Sequence, residues 1–229
     1  MTFSQMIDGP DGQFGAYIAH PVEPNGAALV VIQEIFGVNE VMRDVADFYA
    51  ARGYVAIVPD LFWRIEPGID ITDKTPEEMA KAFELFGRFN AETGIVDIQA
   101  TIDFARKSCA KVGTVGYCLG GMLAFLTACQ TNVDASVSYY GVSIDTYIDQ
   151  ADKITKPILL HVASEDQFVS KEAQAVISDT AENNPFLDVQ IYQGLDHAFA
   201  RRGGEHFDGA GAELANRRTA EFFARNLQS

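Results

Sequence analysis

The stretch Gly116-Tyr117-Cys118-Leu119-Gly120-Gly121 constrains this chain most, because it joins the apolar run Val112 to Val115 to the helix-like run Met122 to Cys129. Gly-x-nucleophile-x-Gly between a strand and a helix is the pattern of a nucleophile elbow, a strained turn that lifts its central side chain above the edge of a sheet. Glycines two residues to either side are required because the turn brings backbone too close for a Cβ and uses φ/ψ values that glycine tolerates. Here the centre is a thiol. At the start of the following helix, the dipole and the unpaired N–H groups favour a thiolate and, later, an oxyanion. Cys109 and Cys129 lie in apolar helical pattern and read as small core residues. Cys118, between its glycines, reads as the nucleophile.

At 229 residues the chain is long enough for one well-buried domain spanning 1–229, and no segment resembles a linker. No apolar run approaches the roughly 18 residues of a membrane span. The segment Met1 to Asp8 has neither a basic stretch nor an apolar core, and three cysteines without a paired framework suit a reducing compartment, so the cytoplasm is expected. A net charge of −15 repels phosphate backbones and anionic bilayers, which argues against nucleic-acid and membrane partners. The expectation is a monomer acting on a small-molecule substrate, and an anionic substrate would need local arginines.

In order along the chain, Phe14, Ala16 and Ile18 alternate with more polar neighbours and read as an edge strand. Ala27 to Gln33 is continuously apolar up to its last residue, as expected of a strand covered on both faces, and it ends in Glu34-Ile35-Phe36-Gly37. An acidic residue therefore follows a buried strand, at the sheet edge where ligands bind. Val41, Val45, Phe48 and Tyr49 recur at helical spacing, Gly53 closes that helix, and Tyr54 to Val58 is the next strand. Thr75-Pro76-Glu77-Glu78 starts a helix with a cap and an N-terminal proline, and Ile98, Ile102 and Ala105 lie on one face of another. After the elbow come strands at Ala135 to Tyr140, Pro157 to Ala163 and Leu187 to Tyr192, with helices from about Ser170 to Glu182 and Gly211 to Leu227. This β/α alternation implies a mostly parallel central sheet with helices on both faces.

Nucleophile, acid and histidine, each after a successive strand, is the chain order of the α/β-hydrolase fold. Cys118, Asp166 and His197 supply that order, with Glu165 and Asp196 as rival acids. His197 would accept the thiol proton and later return one, while Asp166 fixes its tautomer. The N–H of Leu119 and that of Ile35 are the expected oxyanion donors. His20, His161, His197 and His206 show no metal-ligand spacing, and the glycines fit no nucleotide-binding pattern, so no metal and no cofactor are expected. His161 lies within a strand and reads as a satisfied core histidine.

Gln33-Glu34-Ile35-Phe36-Gly37, Pro59-Asp60-Leu61, the Cys118 elbow, Tyr139-Tyr140-Gly141, Asp166-Gln167-Phe168-Val169 and His197-Ala198-Phe199-Ala200-Arg201 resemble the dienelactone hydrolase (carboxymethylenebutenolidase) family over almost the whole chain. The resemblance implies a cofactor-free lactone hydrolase with a Cys118, Asp166 and His197 triad. It also implies a thiol-activating role for Glu34 and a substrate carboxylate held by Arg201. One region departs: the family's pocket arginine and tyrosine fall, by ungapped count, on Met79 and Phe83, and Arg64, Lys81 or Arg202 is the expected substitute for the missing cation. The alternatives are a related esterase, lactonase or thioesterase and, from another class, a thiol redox or binding protein.

Overall fold

Continuous apolar runs become strands here wherever both faces are covered. In the computed structural model, which describes residues 3–228, the hydrogen-bonded strand order is β1-β2-β4-β3-β5-β6-β7-β8. The strands are β1 (Gln5–Gly9), β2 (Gly12–Ala19), β3 (Ala27–Ile32), β4 (Val55–Pro59), β5 (Lys111–Tyr117), β6 (Ala135–Tyr139), β7 (Ile158–Ala163) and β8 (Leu187–Tyr192). The helices are α1 (Glu40–Ala50), α2 (Pro76–Arg88), α3 (Ala91–Ala105), α4 (Leu119–Gln130), α5 (Lys171–Asn183) and α6 (Gly209–Leu227). The residues divide into two compact units, one up to Gly113 and one from Thr114.

In the first unit, every residue of β3 is buried, β3 pairs in parallel with β4, and α1 and α3 pack on both strands. α1 forms where the spacing predicts it, but its buried face is Met42, Ala46, Tyr49 and Ala50; Val41 and Val45 lie at the margin. The expected edge strand is corrected: β2 is an inner strand, antiparallel to β4 on one side and to β1 on the other. The Gly9-Pro10-Asp11-Gly12 turn reverses the chain between β1 and β2, so Ile7 pairs with Phe14 and both are buried. α2 starts as its sequence requires, with the Thr75 hydroxyl accepting the Glu78 N–H at 3.2 Å.

Two motif segments of this unit are tied together by Gln33. Its buried Oε1 accepts the Leu61 N–H at 3.1 Å and its Nε2 donates to the Glu34 carbonyl at 3.3 Å. The adjacent turn is fixed by Val38 N–H to Ile69 O at 3.1 Å and Ile71 N–H to Phe36 O at 3.2 Å.

In the second unit, β6 and β7 are wholly buried and parallel, and β8 pairs in parallel with β7. α4 and α6 both pack on β6. α4 is buried at every position from Leu119 to Cys129, so it is apolar all round and not amphipathic. A 3₁₀ segment, Ile144–Lys153, follows β6 without a side-chain cap at its start, and the sequence pattern does not announce it. Cys109 and Cys129 are free and buried, and burial pushes the Cys129 thiol up to about 12.

Candidate active site

β5 runs into α4 with Cys118 alone between them, and that residue is held at φ 57°, ψ −115°. A non-glycine residue in this region is strained and persists only where its surroundings over-determine it. They do so here. The Cys118 N–H donates to Tyr139 O at 3.1 Å, and its carbonyl accepts from Gly121 at 2.9 Å, Met122 at 3.2 Å and Val142 at 3.4 Å. A Cβ on Gly116 would overlap the Gly120 carbonyl oxygen, and one on Gly121 would lie 2.6 Å from Gly141 Cα. Both glycines are therefore steric requirements of the elbow. Cys118 is half-buried and makes no side-chain cap bond to α4, so the thiol is not spent on capping. Leu119 opens α4, and its N–H has no intrahelical acceptor.

Asp166 lies just past β7 and His197 past β8, and both are buried. His197 Nδ1 is 2.9 Å from Asp166 Oδ2 and 3.1 Å from Oδ1. Asp166 Oδ1 also accepts the Phe168 N–H at 2.9 Å, which fixes the carboxylate. With Nδ1 engaged, the second ring nitrogen is left for Cys118, which acts on His197 both as a hydrogen-bond partner and as a charge. Burial by itself pulls the imidazole pKa down; hydrogen bonds to Asp166 and Cys118, and their charges, more than reverse it and raise it to about 10. Phe168 and Tyr140 meet the imidazole edge-on, with ring centroids at 4.9 Å and 5.1 Å.

The rival acids are placed elsewhere. Glu165 is exposed and its carboxylate pairs with Lys171 at 2.9 Å and with Ser164 Oγ at 3.0 Å, which holds it below the usual carboxylate range. Asp196 bonds main-chain N–H groups and not the imidazole. Arg201 is half-buried, in the turn after His197, with its N–H bonded to Ala198 O at 2.9 Å. Glu34 and Ile35 belong to the first unit, buried just beyond the carboxyl end of β3. Among the described residues, no group of three or more His, Cys, Asp or Glu could hold a metal ion.

The expected stand-ins for a pocket cation are otherwise engaged. Arg64 grips the buried Asp97 with Nε at 3.2 Å and Nη2 at 2.8 Å, and also pairs with Asp11 at 2.9 Å. Lys81 pairs with Glu66 at 2.7 Å and Glu84 at 3.5 Å. Arg202 is exposed, as is Phe83, and Met79 is half-buried.

A model of the dienelactone hydrolase family matches residues 14–227. The chain belongs to the dienelactone hydrolase family. A relative from Azospirillum brasilense, provisionally named a carboxymethylenebutenolidase, is 47% identical over 230 residues, covering 99% of this chain and 100% of the relative. The carboxymethylenebutenolidase of Pseudomonas putida is 37% identical over 228 residues, 98% of this chain and 97% of that protein. Among solved structures, a provisionally named dienelactone hydrolase of Klebsiella pneumoniae covers 96% of this chain and 97% of its own at a TM-score of 0.84 and 22% identity. That likeness speaks for the fold, the α/β-hydrolase fold. This dienelactone hydrolase family member is thus a hydrolase, and none of its described helices is long and apolar enough to cross a membrane.

Sequence reading passed over two features of this family member's site. The aromatic walls of His197 come from Phe168 and Tyr140; both lie in motifs that carry the family resemblance, but the sequence pattern makes Tyr140 the last residue of a strand, whereas it sits at φ 39° just after β6. The bonds of Asp196 are a loop geometry with no periodic signal.

Proposed function

We propose that the protein is a cysteine-dependent carboxylic ester hydrolase that opens an enol lactone of the dienelactone type, giving a maleylacetate-type product, through a thioester acyl-enzyme. The observation that carries this is the buried Asp166–His197 bond of 2.9 Å, with Cys118 on a strained elbow acting on the same imidazole. His197 takes the thiol proton, and its raised pKa keeps that proton on the ring at neutral pH. Cys118 Sγ attacks the lactone carbonyl, and the Leu119 N–H, joined by that of Ile35, steadies the oxyanion. The tetrahedral adduct collapses by breaking the ring C–O bond, releasing an enolate oxygen that takes the proton. Water, deprotonated by His197, then cleaves the thioester to a carboxylate and restores the thiol. Glu34 helps to generate the thiolate, and Arg201 binds the substrate carboxylate.

The choice of leaving group follows from the nucleophile. From an alkyl ester the adduct expels sulfur more readily than a poorly leaving alkoxide, so attack is unproductive. An enol lactone or aryl ester releases a stabilised oxyanion and runs forward. The test compares kcat/KM on a carboxylate-bearing enol lactone, a neutral aryl ester and an alkyl ester. Activity should fall steeply only at the last, and Arg201→Ala should raise KM for the anionic lactone roughly ten- to hundredfold while sparing the neutral ester. Equal activity on alkyl esters would contradict the thiol mechanism.

A second reading, a related esterase with a different substrate, is favoured by one observation: positions 79 and 83 are methionine and phenylalanine, and Arg64 and Lys81 are committed to Asp97, Asp11, Glu66 and Glu84. If Arg201→Ala impairs both substrates equally, that reading replaces the dienelactone one.

A further inference from the structure

We propose that Asp196 is a positioning residue for the Asp166–His197 pair, holding the two loops that carry them in register through one carboxylate oxygen. The inference rests on reading that pair as the proton relay of the proposed hydrolase. The parallel ladder between β7 and β8 ends at Ala163↔Tyr192, but the loops beyond it stay side by side. Ser164 N–H donates to Tyr192 O at 3.0 Å, Gly194 N–H to Ser164 Oγ at 2.8 Å and Glu165 N–H to Leu195 O at 2.8 Å. The outermost rung is supplied by a side chain. Asp196 Oδ1 accepts the N–H of Gln167 at 3.0 Å and that of His197 at 2.6 Å.

Gln167 follows the acid directly, and His197 is the base itself. One oxygen thus fixes the main chain beside both members of the pair, through two hydrogen bonds to a charged acceptor, the stronger kind. Oδ2 braces the same loops from the side, 3.5 Å from Gln167 Nε2 and 3.5 Å from His206 Nδ1. A holding device is needed here because Ala198, the residue after the base, sits at φ 62°, a conformation that its surroundings must enforce. Misplacing a reacting group by about 1 Å costs on the order of a hundredfold in rate, so a slipped rung would show in turnover.

Three substitutions separate the position of the acceptor from its charge. Asp196→Asn keeps an acceptor oxygen in place, Asp196→Glu keeps the charge but moves it by one methylene, and Asp196→Ala removes both. On an aryl ester, Asp196→Ala should lower kcat about ten- to hundredfold with KM nearly unchanged. Asp196→Asn should stay close to wild type, and Asp196→Glu should be clearly worse than Asn. The downfield proton resonance of His197 Nδ1–H should broaden in the Ala and Glu variants and persist in Asn. If Asp196→Ala does not fold, the order of Asn and Glu still decides. Wild-type kcat in Asp196→Ala, Glu equal to or better than Asn, or a loss confined to KM would overturn the proposal. Cys118→Ala, measured alongside, keeps the two readings apart, because full activity there would instead sink the thiol mechanism.

Discussion

His161 and His197 are both buried in the same unit, yet their environments drive them in opposite directions. His161 lies between two hydroxyls, with Thr219 Oγ1 2.8 Å from Nε2 and Tyr192 Oη 2.8 Å from Nδ1. The protons of this network can be assigned by following it outward. Tyr139 Oη donates to Asn216 Oδ1 at 2.9 Å, so the Thr219 hydroxyl, 2.7 Å from Tyr139 Oη, donates to it and accepts from His161 Nε2–H. Tyr192 then donates to Nδ1, and the ring is neutral with every polar atom satisfied. Burial, with a smaller contribution from the Arg218 charge, lowers its pKa to about 3, whereas the carboxylate and thiol facing His197 raise that residue to about 10. Burial sets the stakes, and the charge of the partner sets the sign.

The most disruptive way to break this contrast is Asp166→Asn, which gives His197 a neutral partner of nearly the same shape. Its imidazole pKa, followed by NMR, should fall by several units, and kcat should drop roughly 10³- to 10⁴-fold. An unchanged pKa would mean that Asp166 does not govern the ring.

A smaller effect concerns stability against pH. His161 has its folded pKa depressed from 6.5 to about 3, so its contribution is complete above pH 6.5 and is lost as pH falls toward 3, at about 1.4 kcal/mol per pH unit. His197 has its folded pKa raised, so its contribution is complete below pH 6.5 and is lost as pH rises toward about 10. Denaturant melts should show an acid limb that flattens in His161→Gln and an alkaline limb that does not. Parallel acid limbs would show that His161 is not the group responsible.

The mildest test is Tyr192→Phe, which removes one hydrogen bond from the neutral ring. It should cost about 1–3 kcal/mol of stability, since a buried acceptor is left bare, with kcat nearly unchanged. A large loss of turnover would show that the two histidine environments are coupled.

Much of this was legible in the sequence because it is written in local pattern. A continuous apolar run marked β3, apolar-rich stretches marked β5 and β7, Thr75 and Pro76 marked the start of α2, and Gly116 of the elbow follows from a contact with Gly120, four residues on. His161 read correctly as a core residue from its place in an apolar run. What escaped was decided at a distance. β1, which pairs through the Gly9-Pro10-Asp11-Gly12 turn, goes unread in the sequence because the strand is half exposed and weakly patterned. Asp97 lies beside the helix face of Ile98, Ile102 and Ala105, and it is buried where Trp63 and Arg64 reach it from more than thirty residues away. The choice among Glu165, Asp166 and Asp196 depends on loop geometry that composition does not encode.

The proposed mechanism requires that Cys118, activated by His197, be acylated during turnover. The most direct measurement mixes the enzyme with an activated aryl ester, quenches in acid within milliseconds and maps the mass adduct by peptide mass spectrometry. A stoichiometric burst of product is expected, with the acyl mass on the peptide bearing Cys118 and none in Cys118→Ala. A burst with the acyl group on another residue, or full turnover in Cys118→Ala, would contradict it.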